Sequence, residues 1–386
     1  MKPFQLGLIL ILAFIFSFSV IISAESVQPF EVEATSAFLL DFESGQVLYS
    51  HNGQSPHVPA SLVKIMTMYV ALDQVAAGRI ALTDTTTVSE RAWRMTGSKM
   101  FLEPNEAVSI EQLLTGIAVV SGNDACVALA EALAGSEAVY VQWMNEKAQS
   151  LGLNLHFVDV HGLSEENSIT AEAIAYLVRS YLRDYPEAIK YHQQESFSYQ
   201  PRSSKQPIVQ MNRNGLLRTF EGADGLKTGH LQVAGYNLVG TAVQNNRRLI
   251  SVVLGGTSEA SRERETAKLL NYGYRSFDLV NISRLLEDKT TKVYKGKQRT
   301  VGMYINEPAI SVPKGVQKSV SVAIQTKNLE APVQKGTQVG VLSIFLGEEL
   351  AKQVPLLATE EVPRGGLWRV MWDSLTLFFQ DLIKKR

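Results

Sequence analysis

The sequence predicts an α+β protein: an antiparallel sheet flanked by helices, with a helical insertion, then a small all-β domain and a C-terminal amphipathic helix. Three patterns predict this. A hairpin-like run near the start and a second pair of strand-like runs much later are separated by helical periodicity. That periodicity vanishes near residue 284, and the last twenty residues resume it. In order, residues 36–50 read as a hairpin, with Phe38 to Phe42, a Glu43-Ser44-Gly45-Gln46 turn, and Val47 to Tyr49. The run from Ser61 to about Ala77 is apolar on nearly every face, so it belongs at the centre of a domain. Helical runs cover 109–119, 124–134, 137–151, 170–183 and 259–278. Strand-like runs Tyr236 to Val243 and Leu249 to Leu254 meet at a polar Gln244-Asn245-Asn246-Arg247 turn. Beyond 284, short alternating runs such as Val320-Val322-Ile324 and Val339 to Leu346 lie between Pro and Gly turns.

A chain of 386 residues exceeds one ordinary core. It divides into a signal peptide over 1–24, a helix-and-sheet domain over 25–283, a β-rich domain over 284–362 and an amphipathic helix over 363–386. The first segment has Lys2, an apolar run from Leu6 to Ile22, and small Ser23-Ala24, the order of a secretory signal. An uncleaved anchor is the other reading, and both export the body of the protein. The last segment sets Trp368, Met371, Trp372, Leu375, Phe378, Phe379 and Leu382 at helical spacing. Arg369, Asp373, Gln380 and Asp381 fall largely opposite, and Lys384-Lys385-Arg386 follow. It suits a helix lying in a membrane interface, against the alternative of a helix docked on its own protein. A net charge of -1 gives nucleic acid no electrostatic footing. The single cysteine, Cys126, excludes a disulfide framework and sits among apolar neighbours, as an inert thiol does. The six histidines show no paired-ligand spacing, so neither metal nor other cofactor is expected.

Three short motifs carry chemistry. Ser61 and Lys64 are three apart at the start of the apolar helix and share a face. Desolvation disfavours an ammonium, so a lysine buried there can act as a base toward the hydroxyl. Ser121-Gly122-Asn123 forms a turn between helical runs that brings a hydroxyl and an amide to one mouth. Lys227-Thr228-Gly229 precedes a strand, offering a charge, a hydroxyl and room for a substrate backbone beside Gly229. Taken singly, each is ordinary capping or turn chemistry. Taken together and in order, S-x-x-K, S-x-N and K-T-G form the signature of penicillin-binding proteins and serine β-lactamases.

Flanking segments narrow the resemblance. SKMFLEPNE (98–106), SGNDACVALAEALAG (121–135), HGL (161–163), QMNRNGLL (210–217), DGLKTGH (224–230), AGYNLVGTA (234–242) and RLISVVLGG (248–256) are similar to the low-molecular-mass D-alanyl-D-alanine carboxypeptidases of the penicillin-binding protein 5 and 6 type. The resemblance implies the penicillin-binding, β-lactamase-like transpeptidase fold. Its implied substrate is a peptidoglycan stem peptide ending in D-Ala-D-Ala, with β-lactams as inhibitors. It further implies that Ser61 attacks the penultimate carbonyl and Lys64 takes its proton. Ser121 with Lys227 would relay a proton to the leaving amine, Asn123 would hold the peptide amide, and Thr228 would contact the terminal carboxylate. The backbone N–H groups of Ser61 and His230 would form an oxyanion hole, and Arg262 and Arg213 are cationic candidates near the carboxylate. Ile169 replaces a small hydroxyl residue usual in the family.

Other readings remain at this stage. A β-lactamase would need a carboxylate to activate water, and Glu165 and Glu166 are its candidates against a plain solvated acidic loop. An endopeptidase needs the same chemistry with another leaving group. A non-catalytic sensor of β-lactams or wall peptides would keep the pocket without turnover.

Overall fold

The computed structural model describes residues 30–384. The segment read as a signal peptide lies outside these residues, as do Lys385 and Arg386. Strands β1 (Ser36–Asp41) and β2 (Val47–His51) form the early hairpin. The chain then passes through helices α1 (Val63–Ala76), α2 (Ile110–Val119), α3 (Asn123–Ala134), α4 (Glu137–Ser150) and α5 (Ala171–Asp184). It returns as β3 (Ala223–Leu231), β4 (Gly235–Gln244) and β5 (Arg247–Gly256), and helix α6 (Glu259–Ser276) follows. The five strands pair antiparallel in the order β2-β1-β5-β4-β3.

Both faces of this sheet are covered, which is why β1 is buried along its whole length. Successive side chains point to opposite faces. Phe38 meets Tyr176 of α5 with ring centroids 6.3 Å apart. On the other face, a Cβ on Gly273 of α6 would lie 3.0 Å from Leu39 and 2.5 Å from Leu249, so the absent side chain lets α6 seat closely. Helix α1 is apolar all round and nearly all buried, and it forms the axis around which the other insertion helices pack. Local signals set the helix ends. Ser109 and Gln112 form a reciprocal capping box at α2, Thr170 caps α5, and Gly135 closes α3 in the left-handed region at φ 74°.

The sequence places Lys227-Thr228-Gly229 ahead of a strand, whereas the structure puts these residues inside β3. Polar residues survive there because β3 is the edge of the sheet and β4 extends far enough to pair with Leu231.

After α6 the strand Phe277–Asn281 pairs with Ala309–Pro313. A six-stranded sheet follows, with its own core that includes Val293, Val339, Leu342 and Leu356. A polar cluster ties this part to the five-stranded sheet. Arg247, 6% exposed, donates to Asp41 Oδ2 at 2.7 Å, to the Phe277 carbonyl at 2.7 Å and to Ser311 Oγ at 3.1 Å. The chain ends in the helix Leu367–Lys384, whose residues Trp368, Trp372 and Phe378 are exposed while Asp373 is buried. None of the described helices is long and apolar enough to cross a membrane.

Arg247→Ala leaves the fully buried Asp41 carboxylate without its cation. Breaking such a pair costs about 3–5 kcal/mol. The expected outcome is a lower midpoint of urea unfolding for the variant, read by tryptophan fluorescence; an unchanged midpoint would contradict the clamp.

Candidate active site

Ser61 lies in a single 3-10 turn, Ala60–Leu62, that runs straight into α1. The turn is fixed by the sheet rather than by a helix cap. Asn237 of β4, fully buried, donates from Nδ2 to the carbonyls of Val58 and Pro59 at 3.1 and 3.2 Å, and its Oδ1 accepts from the Gly255 N–H at 2.9 Å. Ala60 takes φ 51°, a left-handed conformation that costs energy in a residue with a side chain. Gly229 completes the seat. A Cβ there would sit 2.8 Å from the Pro59 carbonyl oxygen and 3.1 Å from the Ser61 nitrogen. The space beside Gly229 is therefore occupied by the serine turn itself, where the sequence reading reserves it for a substrate backbone.

Lys64, one turn deeper, is fully buried. Its Nζ donates to Ser61 Oγ at 3.0 Å, to Asn123 Oδ1 at 2.8 Å and to the His161 carbonyl at 2.5 Å. Burial pushes its pKa below the ordinary 10.5, against the weaker opposing pull of Cys126, Asp159 and Asp124. Asn123 keeps its amide oriented by donating Nδ2 to the Thr96 carbonyl at 2.7 Å. Ser121 is held at φ 59°, and its buried Oγ has no hydrogen-bond partner among the described residues. A strained residue with an uncommitted hydroxyl marks a place where function overrides local preference.

Lys227 is also buried and its pKa is pushed well below 10.5, first by desolvation and then by the charge of Lys64. Its Nζ donates to the Thr228 carbonyl at 2.9 Å. One outward carbonyl of β3, that of Leu226, lies 3.1 Å from His192 Nδ1. Alternation along the strand turns the backbone groups of Thr228 and His230 to that same free edge. His230 is exposed and stacks on Tyr236 at 4.1 Å, and Arg262 lies over Tyr236 at 5.8 Å.

Both arginine candidates border this end of the site in different ways. Arg262 is 2% exposed and donates to the Arg213 carbonyl at 3.2 Å, and its Nε has no partner among the described residues. The Arg213 side chain is exposed, and its charge helps lower the pKa of Lys227 after burial and Lys64. Glu165 and Glu166 are exposed. Among the described residues, no carboxylate hydrogen-bonds Ser61 or Lys64.

Several organising residues escape the motif reading. Asp159 accepts from the N–H groups of His161, Gly162 and Ser164 at 3.1, 2.5 and 2.7 Å, and so aims the His161 carbonyl at Lys64. His161 Nδ1 accepts from the Leu163 N–H at 3.3 Å and also lies 3.4 Å from Asp159 Oδ2, while Nε2 lies 3.5 Å from Glu137. Asp124 takes the N–H groups of Met100, Phe101 and Leu102 at 2.8, 2.9 and 3.1 Å, fixing the loop against Asn123. Only the neighbouring HGL and SGND stretches hinted at these roles; a carbonyl acceptor leaves no mark on residue identity.

The site thus pairs a hydroxyl with a buried amine of lowered basicity, beside an open strand edge and two further cationic groups. Comparison with known proteins agrees in extent. Residues 23–258 match the D-alanyl-D-alanine carboxypeptidase family, Peptidase_S11, and residues 282–364 match the penicillin-binding protein 5 C-terminal domain. D-alanyl-D-alanine carboxypeptidase DacA of Escherichia coli K12 is 36% identical over 363 residues, covering 90% of this chain and 88% of the relative. The crystal structure of penicillin binding protein 5 from Haemophilus influenzae superposes with a TM-score of 0.77 at 36% identity, covering 88% of this chain and all of that one. Penicillin-Binding Protein D2 from Listeria monocytogenes, solved in an ampicillin-bound form, gives 0.57 at 26% identity over 64% of this chain and 98% of its own.

Gly229→Ala drives a methyl against the Pro59 carbonyl and the Ser61 nitrogen, both backbone atoms with little freedom to yield. A displacement of a reacting group by about 1 Å costs on the order of 100-fold in rate. The expected result is labelling of Ser61 by a fluorescent penicillin slowed by about that factor, with circular dichroism unchanged.

Proposed function

The chain belongs to the D-alanyl-D-alanine carboxypeptidase family, and from that premise we propose an acyl-enzyme mechanism on Ser61 that removes the terminal D-alanine from peptidoglycan stem pentapeptides. The protein is a serine-type carboxypeptidase with a penicillin-binding fold. The observation that carries the mechanism is the 3.0 Å contact between Ser61 Oγ and the Nζ of a fully buried Lys64. A neutral Lys64 takes the Ser61 proton as Oγ attacks the penultimate D-alanyl carbonyl. The oxyanion is received by the N–H groups of Ser61 and His230, which worth depends on their being fixed before reaction. Lys64 returns that proton through Ser121, helped by Lys227, to the departing D-alanine amine. Water then cleaves the Ser61 ester, releasing the shortened peptide and the free hydroxyl.

The substrate peptide lies along the free edge of β3, its amide held by Asn123 and its carboxylate by Thr228, Lys227 and the Arg262 and Arg213 charges. β-Lactams enter as carboxylate-bearing analogues and acylate the same oxygen, as the ampicillin-bound relative supports. Exposure of Glu165 and Glu166 supports a hydrolase of peptides over a β-lactamase. We assign residues 25–283 to the catalytic domain and 284–362 to a spacer. The helix over 363–386 anchors the exported protein to the outer face of the cell membrane, since its exposed face carries Trp368, Trp372, Phe378 and Phe379.

The test is release of D-alanine from a D-Ala-D-Ala peptide by the purified protein and by Ser61→Ala. Release by the first and none by the second is expected. If neither releases D-alanine while penicillin still labels Ser61, an endopeptidase or a sensor replaces this reading. The pH profile gives a second check. Because burial lowers the Lys64 pKa, kcat/KM should rise with pH on a limb placed below 10.5, and activity should be lost as pH falls and Lys64 gains its proton. A limb at or above 10.5 would remove Lys64 as the base.

A further inference from the structure

The terminal helix is seated the opposite way from an ordinary surface helix, which buries its apolar stripe. Trp368 is 81% exposed, Trp372 70% and Phe378 60%, while Asp373 on the other side is only 5% exposed. Asp373 Oδ2 accepts the Lys295 N–H at 2.6 Å, and Arg369 Nε lies 3.1 Å from the same carboxylate. One turn and more further on, Tyr294 donates to Gln380 at 3.2 Å. The connection into the helix is pinned by the same loop: Lys297 N–H donates to the Pro363 carbonyl and Gly365 N–H to the Lys295 carbonyl, both at 2.8 Å. A Cβ on Gly365 would sit 2.9 Å from the Gly296 carbonyl oxygen, so chain and loop are in direct contact. Lys297, Arg299 and Arg364, all exposed, stand beside this connection.

We propose that Asp373 is a lock that holds the terminal helix on the β-rich domain, so that the protein meets an anionic phospholipid bilayer through one fixed composite surface. That surface is the outward apolar face of the helix together with Lys297, Arg299 and Arg364. The inference rests on the membrane reading given above and adds to it the identity of the polar dock and a second, cationic contact on the domain itself. The chemistry favours both parts. A buried carboxylate needs charged or hydrogen-bonding partners, and beside Arg369 on its own helix Asp373 takes the Lys295 N–H of the loop, which ties the helix to the domain. Basic groups next to an inserted helix are attracted to anionic headgroups over a Debye length, whereas zwitterionic lipid gives them nothing. Bilayer over self-pairing is favoured by this charge, since three cations brought together across a two-fold would repel.

The test uses the full chain, Asp373→Ala, Asp373→Asn, and a triple variant with Lys297→Gln, Arg299→Gln and Arg364→Gln. Each is sedimented with vesicles of phosphatidylcholine alone or mixed with phosphatidylglycerol, and amide hydrogen exchange at Lys295 is followed with and without vesicles. D-alanine release monitors that the catalytic domain is intact. Wild type should sediment with the mixed vesicles and keep a slow Lys295 amide in both states. Asp373→Ala should speed that exchange at least tenfold while still sedimenting, with Asp373→Asn between the two. The triple variant should lose mixed-vesicle binding by about fivefold for each charge removed, and should bind pure phosphatidylcholine as wild type does. Equal Lys295 exchange in wild type and Asp373→Ala, or loss of its protection when wild type binds vesicles, overturns the lock and leaves the membrane reading standing. Failure of wild type to sediment with either vesicle, including the case where it self-associates instead, overturns both.

Discussion

Everything in the catalytic half depends on one awkward placement: an amine, Lys64, fully enclosed in an apolar helix. Water would stabilise its charged form, and the enclosure withholds water. What replaces the solvent is a set of three acceptors, Ser61 Oγ, Asn123 Oδ1 and the His161 carbonyl, each delivered by a different segment. The 3-10 turn before α1, the first residue of α3 and the 159–164 loop must therefore converge within a hydrogen bond of one nitrogen. Much of the remaining architecture can be understood as holding these three in place. Asp159 fixes the loop, Asp124 fixes the strand-like segment facing the turn, and Asn237 ties the serine turn to the sheet.

The sheet has a matching role. Its strand order brings the last two strands to the side of the first hairpin's far edge, so residues more than a hundred and fifty apart in sequence share one opening. Glycine matters at the contact between the two halves. The approach of β3 to the serine turn leaves no room for a methyl at Gly229, and Gly162, at φ 85°, would place a Cβ 1.9 Å from the Ala60 carbonyl oxygen. Both faces of the serine turn are thus set by backbone packing, which tolerates much less adjustment than side-chain contact does.

The fold class, the order of the elements and the residues of the three motifs were legible because periodicity and motif spacing are written in residue types. The all-round apolar character of α1 announced its burial, and the alternation in Val320 to Ile324 and Val339 to Leu346 announced the later sheet. What stayed hidden was relational. Placing Lys227 within β3 required knowing how far β4 extends, and the role of Gly229 required knowing what lies opposite. The His161 carbonyl and the Asp159 clamp act through backbone atoms, which every residue type shares. Likewise, the polar face of the terminal helix was visible as a stripe, but its burial against Lys295 was not.

One feature of β3 carries a cost beyond catalysis. Its outer edge is sealed at Leu226 by His192, but among the described residues the stretch from Lys227 onward has no neighbouring strand on that side. A sheet edge left unpaired is an invitation to any extended polypeptide, and most proteins blunt theirs. On the proposed mechanism this gap in the edge must stay open to receive the substrate peptide. The gap is short, its two central side chains are a lysine and a threonine, and a histidine follows, so an unrelated strand would find little apolar surface to gain there. Discrimination against accidental partners in a crowded compartment would then rest on the brevity and polarity of the opening, and any redesign that lengthened it or made it greasier would trade solubility for reach.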